Sequence, residues 1–271
     1  MRARQARQAR PCSGGEGMLV LAAHGTRAPE GERVIEQLAS GVRQVLRDTD
    51  VRVAYADVRA PSVTDVLAEE TAPAVVVPAF LGSGYHVRTD IPGQIAASGH
   101  DRVVLAPAFG PAPELIGVLL ERLRAAGYTR RHSVVLAAAG SSDPRALMGA
   151  HDVAYALAAR IGAPVRIGYA ATASPSVADA VGELRTATGG RVAVASWLLA
   201  PGLFQRTLTA CGADAVAEPL CRDAAGRADV PSRVVDLVVR RYLQAWRGWR
   251  PTVLAGSSPA GCDDGEHDRI P

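Results

Sequence analysis

An internal repeat constrains the fold of this chain more than any other feature of the sequence. Three segments recur in the same order, and their first residues are Leu19 and Val134, Tyr55 and Tyr169, and Val75 and Val192. The offsets between the copies are 115, 114 and 117 residues. Offsets this similar predict two halves of the same fold, joined near residues 127–133.

Short apolar runs recur along both halves, and each is continuous rather than alternating in hydrophobicity. Such runs are typical of strands that are buried on both faces of a parallel sheet. The predicted strands are Leu19–Ala23, Val51–Asp57, Ala74–Phe80, Val103–Pro107, Val134–Ala138, Val165–Ala170, Val192–Leu198 and Ala213–Ala217. Amphipathic stretches such as Pro29–Arg47 and Pro144–Ile161 separate them and predict helices. This alternation predicts an α/β fold with parallel sheets and right-handed crossovers.

The length of 271 residues fits two domains, and 48% hydrophobic residues with only 4% aromatic residues predict an aliphatic core. We expect an N-terminal half at residues 18–128 that carries the active site and a degenerate C-terminal half at residues 129–246. Residues 1–17 are predicted to be a disordered basic tail, unless translation starts at Met18. Residues 247–271, with a Gly-Ser-Ser-Pro segment and several acidic residues, are predicted to be a second disordered tail.

Several classes of function are excluded by charge and composition. The net charge is only +3, and the arginines of the basic tail have no aromatic residues between them, so nucleic acid is not an expected partner. No apolar run reaches the length of a membrane helix. The four cysteines form no Cys-x-x-Cys pair, which argues against a structural zinc site and favours a reducing, cytoplasmic location.

Three polar residues of the first half have no polar counterpart in the second half. With the offsets above, the matched pairs are His24 and Ala139, Asp57 and Ala171, and His86 and Leu203. If packing required these polar side chains, both copies of the fold would need them. The loss of all three in the second half therefore predicts that they carry function in the first.

The predicted position of these residues indicates one shared site. His24 follows the first strand, Asp57 ends the second, and His86 lies after the third. Ligands of open parallel sheets bind beyond the carboxyl ends of the strands. Two imidazoles and a carboxylate suit divalent ions such as Fe²⁺ and Co²⁺. We therefore predict a metal site with His24 and His86 as ligands and Asp57 as a third ligand, an orienting partner or a proton acceptor.

The loops around these three residues contain candidate substrate-binding groups. Glycine lets a backbone approach a ligand closely, tyrosine offers a flat surface to a macrocycle, and arginine binds carboxylates in a bidentate manner. The candidates are Arg27, Arg59, Gly82, Ser83, Gly84, Tyr85 and Arg88.

Two motifs carry a family resemblance. The segments at residues 21–27 (Leu-Ala-Ala-His-Gly-Thr-Arg) and 76–91 (containing Gly-Ser-Gly-Tyr-His-Val-Arg-Thr-Asp-Ile) resemble the CbiX/SirB family of sirohydrochlorin chelatases. The resemblance covers about residues 18–245. It implies a class II chelatase fold with two flavodoxin-like halves facing each other across a cleft. It also implies metal ligation by His24 and His86, with Asp57 where members often carry glutamate.

The resemblance further implies that the chain inserts Fe²⁺ or Co²⁺ into sirohydrochlorin, on the way to siroheme or cobalamin. We favour iron, although both metals accept the same ligands. The metal is then a substrate, no organic cofactor is expected, and arginines at the cleft would hold the polycarboxylated ring. The chain would act as a monomer or a homodimer. A carrier that binds metal or tetrapyrrole without catalysis is the alternative, and it would need no proton acceptor.

Overall fold

The computed structural model describes residues 17–26 and 28–248, and the side chain of Arg145 is not described. The two predicted tails lie outside these residues, except for Gly17 and for residues 247 and 248, which end the last helix. Within the described residues, no helix is long and apolar enough to cross a membrane.

The described residues of the first half form four strands and four α-helices. Strands β1–β4 are Met18–Ala23, Asp50–Tyr55, Ala74–Pro78 and Val103–Leu105. Helices α1–α4 are Pro29–Val45, Val63–Ala68, Ile91–Ala97 and Pro113–Ala125. A five-residue π-helix, His86–Asp90, runs directly into α3.

The second half repeats this order of elements. Strands β5–β8 are His132–Ala138, Val165–Tyr169, Arg191–Trp197 and Ala215–Val216. Helices α5–α8 are Pro144–Ile161, Val177–Thr188, Leu203–Thr209 and Ser232–Gly248. All eight predicted strands are confirmed, with bounds that differ from the predicted ones by at most two residues, and most strands end one or two residues early. The predicted helix at Pro144–Ile161 coincides with α5, and α1 ends two residues before its predicted end.

Each half builds a four-stranded parallel sheet with the same strand order. The orders are β2-β1-β3-β4 and β6-β5-β7-β8. The chain moves from β1 to one side for β2 and returns to the other side for β3. Crevices form where the strand order reverses in this way, and they open at the carboxyl ends of the strands. The predicted α/β fold with two flavodoxin-like halves is therefore confirmed.

The strand registers correct one detail of the predicted repeat. Leu19 pairs with Val75 in the first sheet, and its counterpart Val134 pairs with Ala193 in the second, so the third strands are offset by 118 residues rather than 117. The corrected offset places Val75 and Ala193 in the same hydrophobic cluster. A shift of one residue in the register of the strand would turn every one of its side chains to the opposite face of the sheet. By this offset the nominal counterpart of His86 is Phe204, not Leu203, and it is still apolar.

The two halves exchange helices. Helix α4 of the first half packs against β7 of the second sheet, and α8 at the end of the second half packs on α1, β3 and β4 of the first. One continuous hydrophobic cluster consequently includes buried side chains of both sheets. Two smaller clusters lie on the outer faces of the sheets, under α2 and α3 and under α6 and α7. The exchange fixes the two halves against each other. The space between the halves at the carboxyl ends of their strands is called the crevice below.

Candidate metal centre

The loops that follow β1 and β2 are joined by backbone hydrogen bonds. The amide of Ala56 donates to the carbonyl of Ala23 at 2.8 Å, and the amide of Asp57 donates to the carbonyl of His24 at 3.0 Å. Gly25 has a φ of 89°, and a Cβ atom at this position would collide with the Asp57 carbonyl oxygen. Gly25 thus permits the close approach that brings the residues after the two strands together.

The imidazoles of His24 and His86 lie next to each other. Their ring centroids are 4.5 Å apart, and the planes are inclined by 76°. Metal–imidazole bonds are about 2.0–2.1 Å long, as zinc sites show, so each ring centre would lie about 3 Å from a shared ion. Two rings 4.5 Å apart are within reach of one ion. The fold therefore brings together the two residues that the sequence predicts as ligands.

In both imidazoles the Nδ1 atom has an acceptor, and the Nε2 atom has no hydrogen-bond partner among the described residues. Nδ1 of His24 lies 3.0 Å from the carbonyl oxygen of Gly25. Nδ1 of His86 lies 2.8 Å from Oδ2 of Asp90. A carbonyl and an ionised carboxylate accept hydrogen bonds only, so Nδ1 is the donor in each case. A neutral imidazole held in this way presents the lone pair of Nε2 to a metal ion.

Asp90 is held from two sides. Its Oδ1 atom accepts a hydrogen bond from Nε2 of Gln94 at 3.0 Å, and its Oδ2 atom faces His86. Burial disfavours the charged form of Asp90, but the hydrogen bonds from Gln94 and His86 and the electrostatic attraction of the two nearby imidazoles outweigh it and lower the pKa of this carboxyl below its usual value. The carboxylate is therefore ionised throughout the neutral range.

An aromatic side chain flanks the histidine pair. The ring of Phe80 lies 6.1 Å from that of His24 and 6.0 Å from that of His86, measured between centroids. Tyr85 lies 5.8 Å from His86 and is 64% exposed. Phe80 therefore forms an apolar wall beside the pair, and Tyr85 offers its ring to solvent at the mouth of the crevice.

Asp57 does not complete a three-residue metal cluster. Its Oδ1 atom accepts a hydrogen bond from the Val58 amide at 2.7 Å, and the side chain is exposed. The described residues contain no group of three or more His, Cys, Asp or Glu side chains that could hold a metal ion. The backbone of Asp57 adjoins His24, but its carboxylate is engaged locally. Its role as ligand or proton acceptor stays a prediction.

The three predicted arginines differ in their surroundings. Arg27 lies outside the described residues. Arg59 donates from Nε to the carbonyl of Thr26 at 2.6 Å and pairs with Glu32 at 2.5 Å. It therefore braces the loop after β1 rather than standing free. Arg88 is exposed, and its side chain has no hydrogen-bond or ion-pair partner within the described part of the chain. Of the two described arginines, Arg88 is the one available to a ligand.

Two grooves between the halves flank the loops of the histidine pair. The α5 groove, of about 490 Å³, runs between the loop before His86 and the start of α5, and it is lined by Gly82, Ser83, Arg88 and Met148. The α7 groove, of about 570 Å³, runs between the loops after β1 and β2 and helix α7, and it is lined by Thr26, Val58, Leu203 and Arg206. Gly84 adjoins the α5 groove, because a Cβ atom there would lie 3.6 Å from Ala146.

Asp90 and Gln94 were not among the site residues predicted from the sequence. The available signal was a carboxylate four residues after a predicted ligand, in a segment with helical character. Arg206, which enters the α7 groove from the second half, was not predicted either. No local pattern distinguishes this arginine from other exposed arginines of the chain.

Solved structures with this architecture identify the fold. SirB from Bacillus subtilis, solved with Fe³⁺, matches with a TM-score of 0.71 at 17% identity, over 85% of this chain and 95% of that one. CbiX, described as the terminal enzyme for siroheme biosynthesis in denitrifying bacteria, matches with a TM-score of 0.62 at 21% identity, over 82% of this chain and 98% of that one. The fold is therefore that of the two-half chelatases.

Sequence comparison identifies the family within this class. The chain belongs to the CbiX family, whose sequence model matches residues 18–126 and 133–218. The sirohydrochlorin cobaltochelatase of Methanothermobacter thermautotrophicus is 28% identical over 131 residues, which cover 40% of this chain and 91% of that protein. That of Methanosarcina acetivorans is 32% identical over 74 residues, which cover 26% of this chain and 57% of that protein. The predicted family resemblance is confirmed.

Proposed function

We propose that this protein inserts a divalent metal ion, Fe²⁺ or Co²⁺, into sirohydrochlorin. The observation that carries the proposal is the pair of adjacent imidazoles, 4.5 Å apart, each with Nδ1 engaged and Nε2 open. Membership in the CbiX family and the names of the curated relatives supply the substrate. Imidazole nitrogens accept iron and cobalt alike, so the site supports either metal, and iron remains our preference from the sequence.

A site with two protein ligands suits an enzyme that must give its metal away. His24 and His86 would hold the ion from one side, and the remaining coordination positions stay open to water or to the pyrrole nitrogens of the ring. A fully enclosed site with four protein ligands is typical of structural metals instead. The small number of ligands therefore favours transfer over storage.

The reaction releases protons as well as transferring the metal. The free macrocycle loses two pyrrole N–H protons as the ion enters, so the products are the metallated ring and two protons. An imidazole that releases the ion has a free lone pair that can accept a proton. Asp57, exposed and close to His24 along the backbone, is the proposed second acceptor.

The macrocycle would lie across the mouth of the crevice, between the α5 groove and the α7 groove. Exposed apolar side chains on both sides offer contact surfaces for a flat ring, namely Tyr85, Met148 and Leu203, which are 64%, 66% and 76% exposed. Arg88 in the α5 groove and Arg206 in the α7 groove are exposed cations for its carboxylates. The second half would thus contribute to substrate binding without contributing to the metal pair.

The location and assembly of the protein are part of the same proposal. Cys211 and Cys221 are buried free thiols, which fits the reducing cytoplasm predicted from the sequence. Both halves of the crevice belong to one chain, so a monomer is sufficient for the proposed reaction, and a homodimer is not required by it.

Turnover of purified protein tests the proposal. Sirohydrochlorin mixed with Fe²⁺ or Co²⁺ should be metallated faster with the wild-type protein than without it, as followed by the visible spectrum. We expect His24→Ala and His86→Ala to lower the rate by about 100-fold or more, since loss of an outer partner of a metal ligand alone costs about 10–100-fold.

The matched control is His151→Ala, because His151 is an exposed histidine at a separate cavity of the second half. This variant should keep the wild-type rate. If both site variants metallate the ring as fast as the wild type, the proposed site is wrong. If the wild type binds metal and ring but does not accelerate insertion, the carrier function replaces the chelatase.

A further inference from the structure

A chain of side-chain hydrogen bonds runs from His86 along the π-helix into α3. Nδ1 of His86 contacts Oδ2 of Asp90 at 2.8 Å, and Oδ1 of Asp90 accepts from Nε2 of Gln94 at 3.0 Å. The three residues are spaced by four positions, so they lie along one side of the helical segment. Both carboxylate oxygens are therefore occupied, one by the imidazole and one by the amide.

Gln94 is itself fixed by the loop after β2. Its Nε2 atom also donates to the carbonyl of Ala56 at 2.7 Å, and its Oε1 atom accepts from the Val63 amide at 3.0 Å. The carbonyl of Gln94 accepts a further bond from the Thr64 hydroxyl at 3.0 Å. Through Gln94, Asp90 is therefore connected to the loop after β2, and this loop is hydrogen-bonded to the residues around His24. The position of Asp90 does not depend on its own helix alone.

The two imidazoles are oriented by different means. His24 uses the backbone carbonyl of Gly25, which follows directly in the chain. His86 uses a carboxylate side chain that is held by a second side chain. By the offset of 118 residues, the counterparts of His86, Asp90 and Gln94 in the second half are Phe204, Leu208 and Gly212, whose side chains cannot form such a network.

We propose that Asp90 is a positioning residue of the metal site, which fixes the His86 ring with Nε2 toward the ion, and that Gln94 holds Asp90 in place. The inference rests on the proposed function to the extent that His86 is taken as a ligand. The physical reason is that an acceptor at Nδ1 selects the tautomer whose lone pair is on Nε2, limits rotation of the ring and makes it a stronger ligand. The π-helix supports the assignment, because such segments are frequent at functional sites.

Substitution of Asp90 in the full chain tests this role with Co²⁺ alone, without the macrocycle. In Asp90→Ala we expect the dissociation constant for Co²⁺, measured by calorimetry, to rise by about 10–100-fold. In the metal-free protein, ¹H–¹⁵N long-range spectra of His86 should shift from the Nδ1–H tautomer toward the Nε2–H tautomer. A purely structural role for Asp90 would not change the tautomer.

Three further variants complete the experiment. Asp90→Asn keeps an oxygen acceptor in place and should retain more of the wild-type affinity than Asp90→Ala. Gln94→Ala releases Asp90 without removing it and should give a smaller loss than Asp90→Ala. Asp236→Ala removes an exposed carboxylate of α8 and should bind Co²⁺ as the wild type does.

The outcomes separate this inference from the proposed function. If Asp90→Ala and Asp90→Asn bind Co²⁺ as tightly as the wild type, or if His86 keeps its tautomer in both, Asp90 has no positioning role, and the chelatase proposal is unaffected. If the wild type binds Co²⁺ but does not insert it into sirohydrochlorin, the chelatase proposal fails, while the tautomer and affinity data still decide the role of Asp90.

Discussion

At the scale of single residues, the internal repeat separates what the scaffold needs from what the chemistry needs. Gly25 and Gly140 both have a positive φ, of 89° and 92°, and a Cβ atom at either would collide with the carbonyl oxygen of the facing loop. The facing residues are Asp57 and Ala171. The glycine recurs because the close approach of two loops is needed in both halves, whereas His24 is present only in the half that carries the proposed metal site.

This duplication provides a matched pair of variants. Gly25→Ala and Gly140→Ala should each destabilise the protein, by about 1–2 kcal/mol from the left-handed backbone alone and more from the collision. Only Gly25→Ala should also weaken Co²⁺ binding, because it displaces His24. Urea unfolding and Co²⁺ calorimetry measure the two effects. Equal loss of metal affinity in both variants would contradict the assignment of the site to the first half.

The histidine pair was predictable from sequence and the Asp90 network was not. His24 and His86 differ from their apolar counterparts in the second half, and the topology of parallel strands brings such loop residues together. Asp90 and Gln94 act through hydrogen bonds of 2.8 and 3.0 Å. Such contacts depend on rotamers and on the path of a π-helix, and neither leaves a distinctive pattern in the order of residues.

At the scale of elements, both halves begin the helix after their second strand in the same way. Ser62 caps α2 and Ser176 caps α6, each by accepting a bond from the amide three residues later. A non-glycine residue with positive φ precedes each cap, Val58 at 69° and Thr172 at 63°. Because this unusual conformation occurs in both halves, we attribute it to the scaffold and not to metal binding.

The cap of α2 has a consequence for acid stability. Asp65 accepts a hydrogen bond from the Ser62 amide and faces its hydroxyl, and these bonds lower the pKa of Asp65. A lowered folded pKa gives stability that is present above the unfolded value of about 3.9 and is lost as the pH falls through the folded value.

Asp65→Asn should therefore flatten the acid side of the stability profile, measured by urea unfolding between neutral and acidic pH. Asp236→Asn, at an exposed position of α8, serves as the control and should keep the wild-type slope. A wild-type slope in Asp65→Asn as well would show that this cap does not contribute to the acid transition.

At the scale of the whole molecule, the exchange of α4 and α8 makes the two halves interdependent. Arg122 of α4 donates to the Leu220 carbonyl and pairs with Asp229 at 2.7 Å, and Arg240 of α8 pairs with Glu114 at 2.8 Å. These contacts lie at the rims of the shared hydrophobic cluster. The crevice is therefore held by packing and ion pairs between the two halves.

Loss of a buried side chain in α8 should destabilise both halves together. Leu237 is fully buried in the shared cluster, so Leu237→Ala should cost about 2–5 kcal/mol and leave a single unfolding transition. The exposed Gln244 of the same helix provides the control, and Gln244→Ala should stay within about 0.5 kcal/mol of the wild type. Two separate transitions in Leu237→Ala, by circular dichroism and tryptophan fluorescence, would contradict the interdependence.

The order of residues alone was sufficient to predict the α/β class, the eight strands, the duplication and the histidines at the strand ends. These features can be recognised from hydrophobic periodicity and from comparison of the two halves, and both depend only on the order of residues along the chain. The tertiary structure alone decided the face of each third-strand residue, the exchange of α4 and α8, and the coupling of His86 to Asp90 and Gln94. These depend on register and on distances between atoms far apart in the chain, and a shift of one residue or one rotamer changes them without changing the pattern.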